Sequence, residues 1–403
     1  VLSFEQARER LLAAATPVGE VEQVRTEHAA GRVLAHAVTA LVDVPAADNA
    51  QMDGYAVRCA DLAQLPARLP VALRIAAGAV APPLPLGAAA RIFTGAPLPA
   101  GCDAVVMQEE ATAEGDDVVL NRRPQPGQWI RRAGSDFARG SVALPAGQAL
   151  GPQHLGVAAS VGIATLAVVR RPRVSLLCTG DELAMPGDAP AAGDGRGRVF
   201  NSNRFVLAAL LEALGCVVHD LGIVRDSPEA TRNALEQAAV GADLIISAGG
   251  VSVGDEDHVK AAVASLGSLQ LWGVAMKPGK PLAFGQVGTV PFIGLPGNPV
   301  SSFTTFVMLV RPYLLKRMGA TCVLPRTIAL PADFARAADS NRREFARVRR
   351  NGAGRLELYR SQNSALLSSV AWADGLADIP PGTEVVPGMV LPYLGLNELT
   401  GPP

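Results

Sequence analysis

Five short loops carry the residue types that phosphate and oxyanion chemistry needs. They read Thr179-Gly180-Asp181-Glu182-Leu183, Gly222-Ile223-Val224-Arg225-Asp226, Gly249-Gly250-Val251-Ser252-Val253-Gly254-Asp255-Glu256-Asp257, Lys277-Pro278-Gly279-Lys280-Pro281 and Gly294-Leu295-Pro296-Gly297-Asn298-Pro299. Glycine lets backbone N–H groups approach an anion closely, and a helix start behind the loop adds partial positive charge. Carboxylates beside a phosphate repel it unless a divalent cation lies between them. Acids next to phosphate-type loops therefore point to Mg2+, which takes one or two protein carboxylates with phosphate oxygens and water. Lys277 and Lys280 can hold an oxyanion as point charges. Any one of these loops alone reads as an ordinary tight turn, and the lysine pair alone as a solvated one. Five on one edge point to a ligand site.

That edge requires a particular set of elements. Between about 171 and 318, short apolar runs alternate with helical periodicity: strands at 173–178, 216–221 and 243–247, helices at 203–214 and 228–239. Another helix follows Asp257, then come strands near Leu271 and Leu282, and a long helix over about 300–317. Strands alternating with helices predict a parallel α/β sheet with crossover helices. Ligands of such a sheet bind beyond the carboxyl ends of its strands, where these loops fall. Residues 46–145 differ, with apolar runs broken by proline and glycine, and read as a β-rich domain. Three polar segments lie there: Asp48 to Ala56, Phe93 to Pro99 and Ile130 to Asp136. On physics alone each is a turn-rich loop. An active site joining them to the α/β edge needs a neighbouring subunit or a folded-back domain. Alternation returns after about 324, in Glu344-Phe345-Ala346-Arg347-Val348-Arg349 and Leu356-Glu357-Leu358-Tyr359, predicting a small C-terminal β-barrel or sandwich.

Composition narrows the classes. A chain of 403 residues exceeds one ordinary core, and 36 basic against 37 acidic side chains give no strong basic field for nucleic acid. The uncharged stretches 141–169 and 281–310 are interrupted by prolines and glycines, so neither reads as a membrane span. Ser3-Phe4-Glu5-Gln6 is a capping-box pattern before an amphipathic helix, unlike a signal peptide. Five scattered cysteines without a C-x-x-C pair argue against a zinc knuckle or disulfide framework and for a reducing, cytoplasmic setting.

The strings DNAQMDGYA, RIFTGAPLPAG, IRRAGSD, LCTGDEL, FNSN, GGVSVGDED, MKPGKPLAFG and GLPGNPVSS occur in one order along the chain. Together they resemble the MoeA family of molybdopterin molybdenumtransferases, and the C-terminal domain of gephyrin, over about residues 1–400. The chain departs from the family pattern at Ala50-Gln51, where Ser-Ala is common, and at Asn363, where glycine is usual; neither change removes a charge. The resemblance implies a multidomain α/β plus β protein and an elongated homodimer with a shared active cleft. Its parts would be a MogA-like molybdopterin-binding domain (1–21 and 171–323), an arm (22–44 and 146–170), a protruding β-rich domain (45–145) and a C-terminal β-barrel (324–403). The implied reaction takes adenylyl-molybdopterin and molybdate and releases AMP, with Mg2+ assisting. By motif, Asp53, Thr94, Glu182, Asp226 and Asp257 would be catalytic, the last three also handling the metal. Arg131, Asp136, Gly249, Gly250, Ser252, Gly254, Pro296, Gly297 and Asn298 would bind the pterin substrate. Lys277, Lys280, Arg347 and Ser364 would hold molybdate. The enzyme that makes the adenylylated substrate, a molybdopterin adenylyltransferase, is the implied partner.

Three other readings carry less. An adenylyltransferase would need only the α/β domain. A non-catalytic scaffold would tolerate a degraded acidic rim, yet Asp53, Glu182, Asp226 and Asp257 all stand. Nucleic-acid binding would use Arg342-Arg343 and Arg347 with Arg349-Arg350, of which Arg343, Arg347 and Arg349 share a strand face; a solvated or anion-facing strand explains this as well.

Overall fold

Strand Leu244–Ala248, buried at every residue, lies at the centre of a six-stranded sheet. A strand buried on both faces needs a helical layer on each. Here Leu176, Leu244 and Ile246 pack in one core with Leu207, Leu210 and Leu211 of helix Ser202–Ala213. The alternate residues Leu177 and Ile245 face the other way, onto Leu235 and Ala238 of helix Pro228–Ala239 and Val259 of helix His258–Leu266. The computed structural model describes residues 1–188, 198–250, 258–339 and 341–403.

Four strands of this sheet, in the spatial order Val217–Val224, Arg173–Thr179, Leu244–Ala248, Val290–Leu295, are parallel. Pro281–Val287 and Gly267–Gly273 then complete it in antiparallel fashion. The predicted parallel sheet is thus extended by two antiparallel strands, and this addition matters for the site. An antiparallel strand begins where its parallel neighbours end. Ala283 pairs with Gly294 and Gly273 with Pro281, so the 274–280 connection falls at the same edge as 296–298. The lysine loop reaches the rim by preceding a strand, whereas the glycine loops reach it by following theirs.

Local signals set the helix ends. The Asn201 side chain accepts the Arg204 N–H at the start of one helix, and the Ser227 hydroxyl that of Ala230 at another. The Ser3 capping box forms, with Ser3 Oγ accepting from the Gln6 N–H and Gln6 Oε1 from the Ser3 N–H. The predicted single helix over 300–317 is interrupted: Pro299–Thr305 and Arg311–Arg317 flank a wide turn at Phe306–Val310. Pro312 has no N–H to return to that turn, which removes one rung of an ordinary α-helical ladder.

The C-terminal sheet runs Met276–Lys277, Arg343–Arg350, Gly375–Ile379, Val390–Gly395, Ile328–Pro331, with Leu356–Leu358 added on Arg343–Arg350. A bridge from Ala332 to Leu356, with the Asp333 N–H donating to the Leu356 carbonyl at 2.8 Å, curls the sheet back on itself, so it forms a half-barrel in line with the small barrel or sandwich expected from the sequence. Phe345, Leu376 and Leu394 from this sheet share one apolar core with Phe4, Phe303 and Phe306, and the Phe4 and Phe345 rings meet edge to face at 5.0 Å. Each such buried side chain stabilises the contact by roughly 1.5–3 kcal/mol. The α/β unit and half-barrel therefore hold each other in place, and the lysine loop lies where they join.

The remaining segments keep cores of their own. A second six-stranded sheet, Ala104–Met107, Gly54–Val57, Ala89–Ile92, Ala67–Ile75, Asp117–Leu120, Ala111–Glu114, buries two apolar clusters drawn from within residues 50–130. The ladders Val21–Arg25 with Thr165–Val169 and Val38–Thr39 with Val142–Leu144 form another unit, closed by helix Pro152–Ser160. Among the described residues no helix is long and apolar enough to cross a membrane.

Candidate functional site

Two adjoining cavities open on the carboxyl edge of the α/β sheet. The first, about 310 Å3, is lined by Thr179, Gly180, Glu182, Asp226, Gly249 and Gly250 from the ends of three parallel strands. Its far wall is Pro296-Gly297-Asn298, tied to the helix Ser202–Ala213 by Asn203 Nδ2 donating to the Gly297 carbonyl at 2.8 Å. Gly250 has φ +68°, and a Cβ there would overlap Val259, so the wall requires glycine at this point. The Asp226 N–H donates to Asp181 Oδ1 at 3.0 Å, which draws two of the loops together. Glu182 and Asp226 are both exposed to the cavity, and no lysine or arginine is among the described residues that line it. Two carboxylates with no cation among the described lining residues, beside glycine loops, fit a hard cation shared with phosphate oxygens, and Mg2+ needs no more than this from protein. Among the described residues no group of three or more His, Cys, Asp or Glu could cage a metal by itself.

The second cavity, about 290 Å3, shares Pro281, Asn298 and Ser301 with the first and has the opposite charge. Lys277, Lys280 and Arg342 line it with Gln362 and Ser364, and no carboxylate is among its described lining residues. Gly279 has φ +115° and lies so close to Thr305 that a side chain would overlap its hydroxyl, so the lysine loop is pressed onto the helix. Met276 and Lys277 pair in parallel with Arg343 and Glu344, joining this loop to the half-barrel. The Ser364 carbonyl accepts the Val300 N–H at 3.0 Å, bringing the 361–364 segment to the same mouth. Arg342 donates to Asp339 Oδ2 from Nη2 at 2.6 Å and holds that carboxyl below the usual carboxylate range.

A third group forms in the β-rich domain. Asp53 Oδ1 accepts the Thr94 N–H at 2.7 Å and its hydroxyl at 2.8 Å, and these two bonds, the backbone one first, lower the Asp53 carboxyl pKa. The two residues are thus one unit, 41 positions apart in sequence. Arg131 and Asp136 are exposed. None of these four lines either cavity within the chain.

The MoeA N-terminal region (domain I and II) matches residues 2–162, the probable molybdopterin binding domain 175–316, and the MoeA C-terminal region (domain IV) 329–396. A molybdopterin molybdenumtransferase of Haemophilus influenzae is 40% identical over 79% of this chain and 78% of its own length. The chain belongs to the MoeA family. As a member it is a transferase of molybdenum cofactor biosynthesis. Similar relatives are molybdopterin molybdenumtransferase 2 of Mycobacterium tuberculosis (38% identical, 87% of this chain, 89% of that one) and a molybdopterin molybdenumtransferase of Synechococcus elongatus (35%, 95% and 96%). The crystal structure of the molybdopterin biosynthesis MoeA protein of Pyrococcus horikoshii OT3 superposes with a TM-score of 0.85 at 27% identity, covering 98% of this chain and 100% of that one.

Arg347, which the MoeA resemblance implies would hold molybdate, is wholly buried and is not among the residues lining the cavity. Its Nη1 donates to the Phe345 carbonyl at 3.3 Å, and burial pulls its pKa down to about 10. From Glu344 to Val348 both faces of this strand are covered, and the buried Arg347 Nη2 has no hydrogen-bond partner among the described residues. Arg343 and Arg349, expected on the same face, are engaged by Asp378 and Glu357. Sequence reasoning missed Arg342 and Gln362 in the basic cavity and Asn201, Asn203 and Ser301 in the first. The asparagines belong to the FNSN string, which carried a family signal but no role. Ser252, Gly254 and Asp257 lie outside the described residues.

Proposed function

We propose that the two cavities take the two reactants of a molybdate insertion: adenylyl-molybdopterin at the acidic cavity and molybdate at the basic one. The observation that carries this reading is the opposite charge of adjoining cavities, Glu182 and Asp226 lining one, Lys277, Lys280 and Arg342 the other. Glu182 and Asp226, with Asp257, would hold Mg2+. When bound, the metal supplies positive charge to the phosphoanhydride oxygens. Backbone N–H groups at Gly249 and Gly250 orient the phosphate, while Pro296, Gly297 and Asn298 form the wall that keeps it next to the anion. Lys277, Lys280 and Arg342 bind molybdate as a dianion, with Ser364 as a neutral partner.

Cleavage of the P–O–P link releases AMP, the oxygen added to phosphorus coming from water. As the two dithiolene sulfurs bond to molybdenum, one molybdate oxygen leaves as water, taking up the two thiol protons, with no change of oxidation state. The substrate must come from an enzyme that adenylylates molybdopterin, which makes such an adenylyltransferase the natural partner. Asp53, Thr94, Arg131 and Asp136 would enter from a second copy of the chain, because none of them lines the cavities of its own.

The test is incubation of the pure protein with adenylyl-molybdopterin, Mg2+ and molybdate while AMP is followed. AMP release that needs both Mg2+ and molybdate is expected. Release that is indifferent to molybdate would refute the coupling of the two cavities.

A further inference from the structure

Lys277 differs from Lys280 in having two carboxylates close to its ammonium group. Its Nζ is 3.7 Å from Glu344 Oε1 and 4.0 Å from Asp339 Oδ2, ion pairs that both stay beyond hydrogen-bond distance. The register makes the first of these unavoidable, since Lys277 pairs with Glu344 in the parallel ladder. Each carboxylate is already engaged by an arginine. Glu344, 3% exposed, is held in a fork by Arg336, with Nη2 on Oε1 at 2.7 Å and Nε on Oε2 at 3.1 Å. Asp339 is held by Arg342 through Nη2 at 2.6 Å and Nε at 3.1 Å. A carboxylate without such a partner would draw a nearby ammonium group to about 2.7–2.9 Å, the length of a charge-assisted bond. Lys277 would then turn away from the cavity with its charge spent.

We propose that Arg336 is a positioning residue of the anion cavity: by saturating Glu344 it keeps the Lys277 ammonium group free for an oxyanion. Arg336 is not among the residues that line the cavity, so it acts through Glu344. Its place is set by the half-barrel, where Arg336 bridges to Val385 and donates its N–H to that carbonyl at 2.9 Å. The fully buried Arg347 also feels the Glu344 charge, so removing Glu344 alone would leave cations crowded without their counter-ion. The informative change is at Arg336, and the inference rests on the reading of this cavity as the molybdate site.

The experiment compares the parent, Arg336→Gln and the double variant Arg336→Gln with Glu344→Gln. Two readouts are taken: amine labelling of Lys277 relative to Lys280 by mass spectrometry, and molybdate binding by calorimetry. Arg336→Gln should lower relative labelling of Lys277 and weaken molybdate binding by about one to two decades, the size of one charge-assisted contact. The double variant, whose one remaining carboxylate beside Lys277 is Asp339, still held by Arg342, should recover both. Arg336→Lys, which keeps the charge without the fork, supplies the comparison if Arg336→Gln does not fold. Unchanged Lys277 labelling in folded Arg336→Gln, or a double variant no better than the single one, overturns the proposal. Labelling that falls and recovers while no variant, and not the parent, binds molybdate supports the positioning role and refutes the anion reading instead.

Discussion

Removing one cation from the basic cavity should weaken molybdate without disturbing the nucleotide substrate. Lys277, Lys280 and Arg342 line that cavity with no carboxylate among its described lining residues, so each lysine offers a charge-assisted contact. One such contact is worth about 1.5–3 kcal/mol, or roughly one to two decades in affinity. Lys280 is exposed, and solvent screening brings its share to the low end, about tenfold for Lys280→Ala. Lys277 has a side chain only 29% exposed, so Lys277→Ala should lie toward about a hundredfold. The assay is calorimetric titration of molybdate and of adenylyl-molybdopterin, separately, into each variant. Raising ionic strength from about 0.1 to 1 M shortens the screening length from ~10 to ~3 Å and should weaken the parent more than Lys280→Ala. Arg347→Met, changing a buried side chain outside the cavity, should alter thermal stability and leave molybdate binding as it is. If both lysine variants bind molybdate like the parent but lose the nucleotide, these lysines are phosphate ligands and the division of the two cavities is wrong.

Three further outcomes are expected. Asp226→Asn should abolish AMP release while melting at or above the parent temperature, because it removes one of two adjacent exposed carboxylates; normal turnover at low Mg2+ would count against a metal role. Mixing inactive Asp53→Asn chains with inactive Asp226→Asn chains should restore part of the activity once subunits exchange, since one composite site then has both groups intact; no recovery after verified exchange would exclude a shared cleft. Gly250→Ala should cost about 1–3 kcal/mol in denaturant unfolding, from the positive φ and the overlap with Val259; an unchanged midpoint would show that the loop can relax there.

Much of this molecule follows from local sequence. Helix Pro228–Ala239 matches its predicted bounds because Ser227 and Pro228 are a start signal that no tertiary contact has to supply. The glycine and acid loops fall where strands end, so Glu182, Asp226, Gly249 and Gly250 could be assigned to one rim from alternation alone. Other features depend on contacts that periodicity does not encode. Nothing in the residues of Pro281–Val287 says that this strand runs against its neighbours, yet that direction is what puts Lys277 and Lys280 on the rim. Arg347 sits on an alternating strand that looks half solvated, and only packing against Ser369 and the shared core shows that both of its faces are covered. Arg342 and Arg336 carry no motif; they matter because a two-residue ladder sets Lys277 beside Glu344 and the half-barrel brings arginines to both acids. Sequence by itself determined which residues are suited to phosphate, metal and oxyanion. Tertiary structure decided which of those charges face the cavity and which are spent on each other, because that choice depends on strand direction and register across segments distant in the chain.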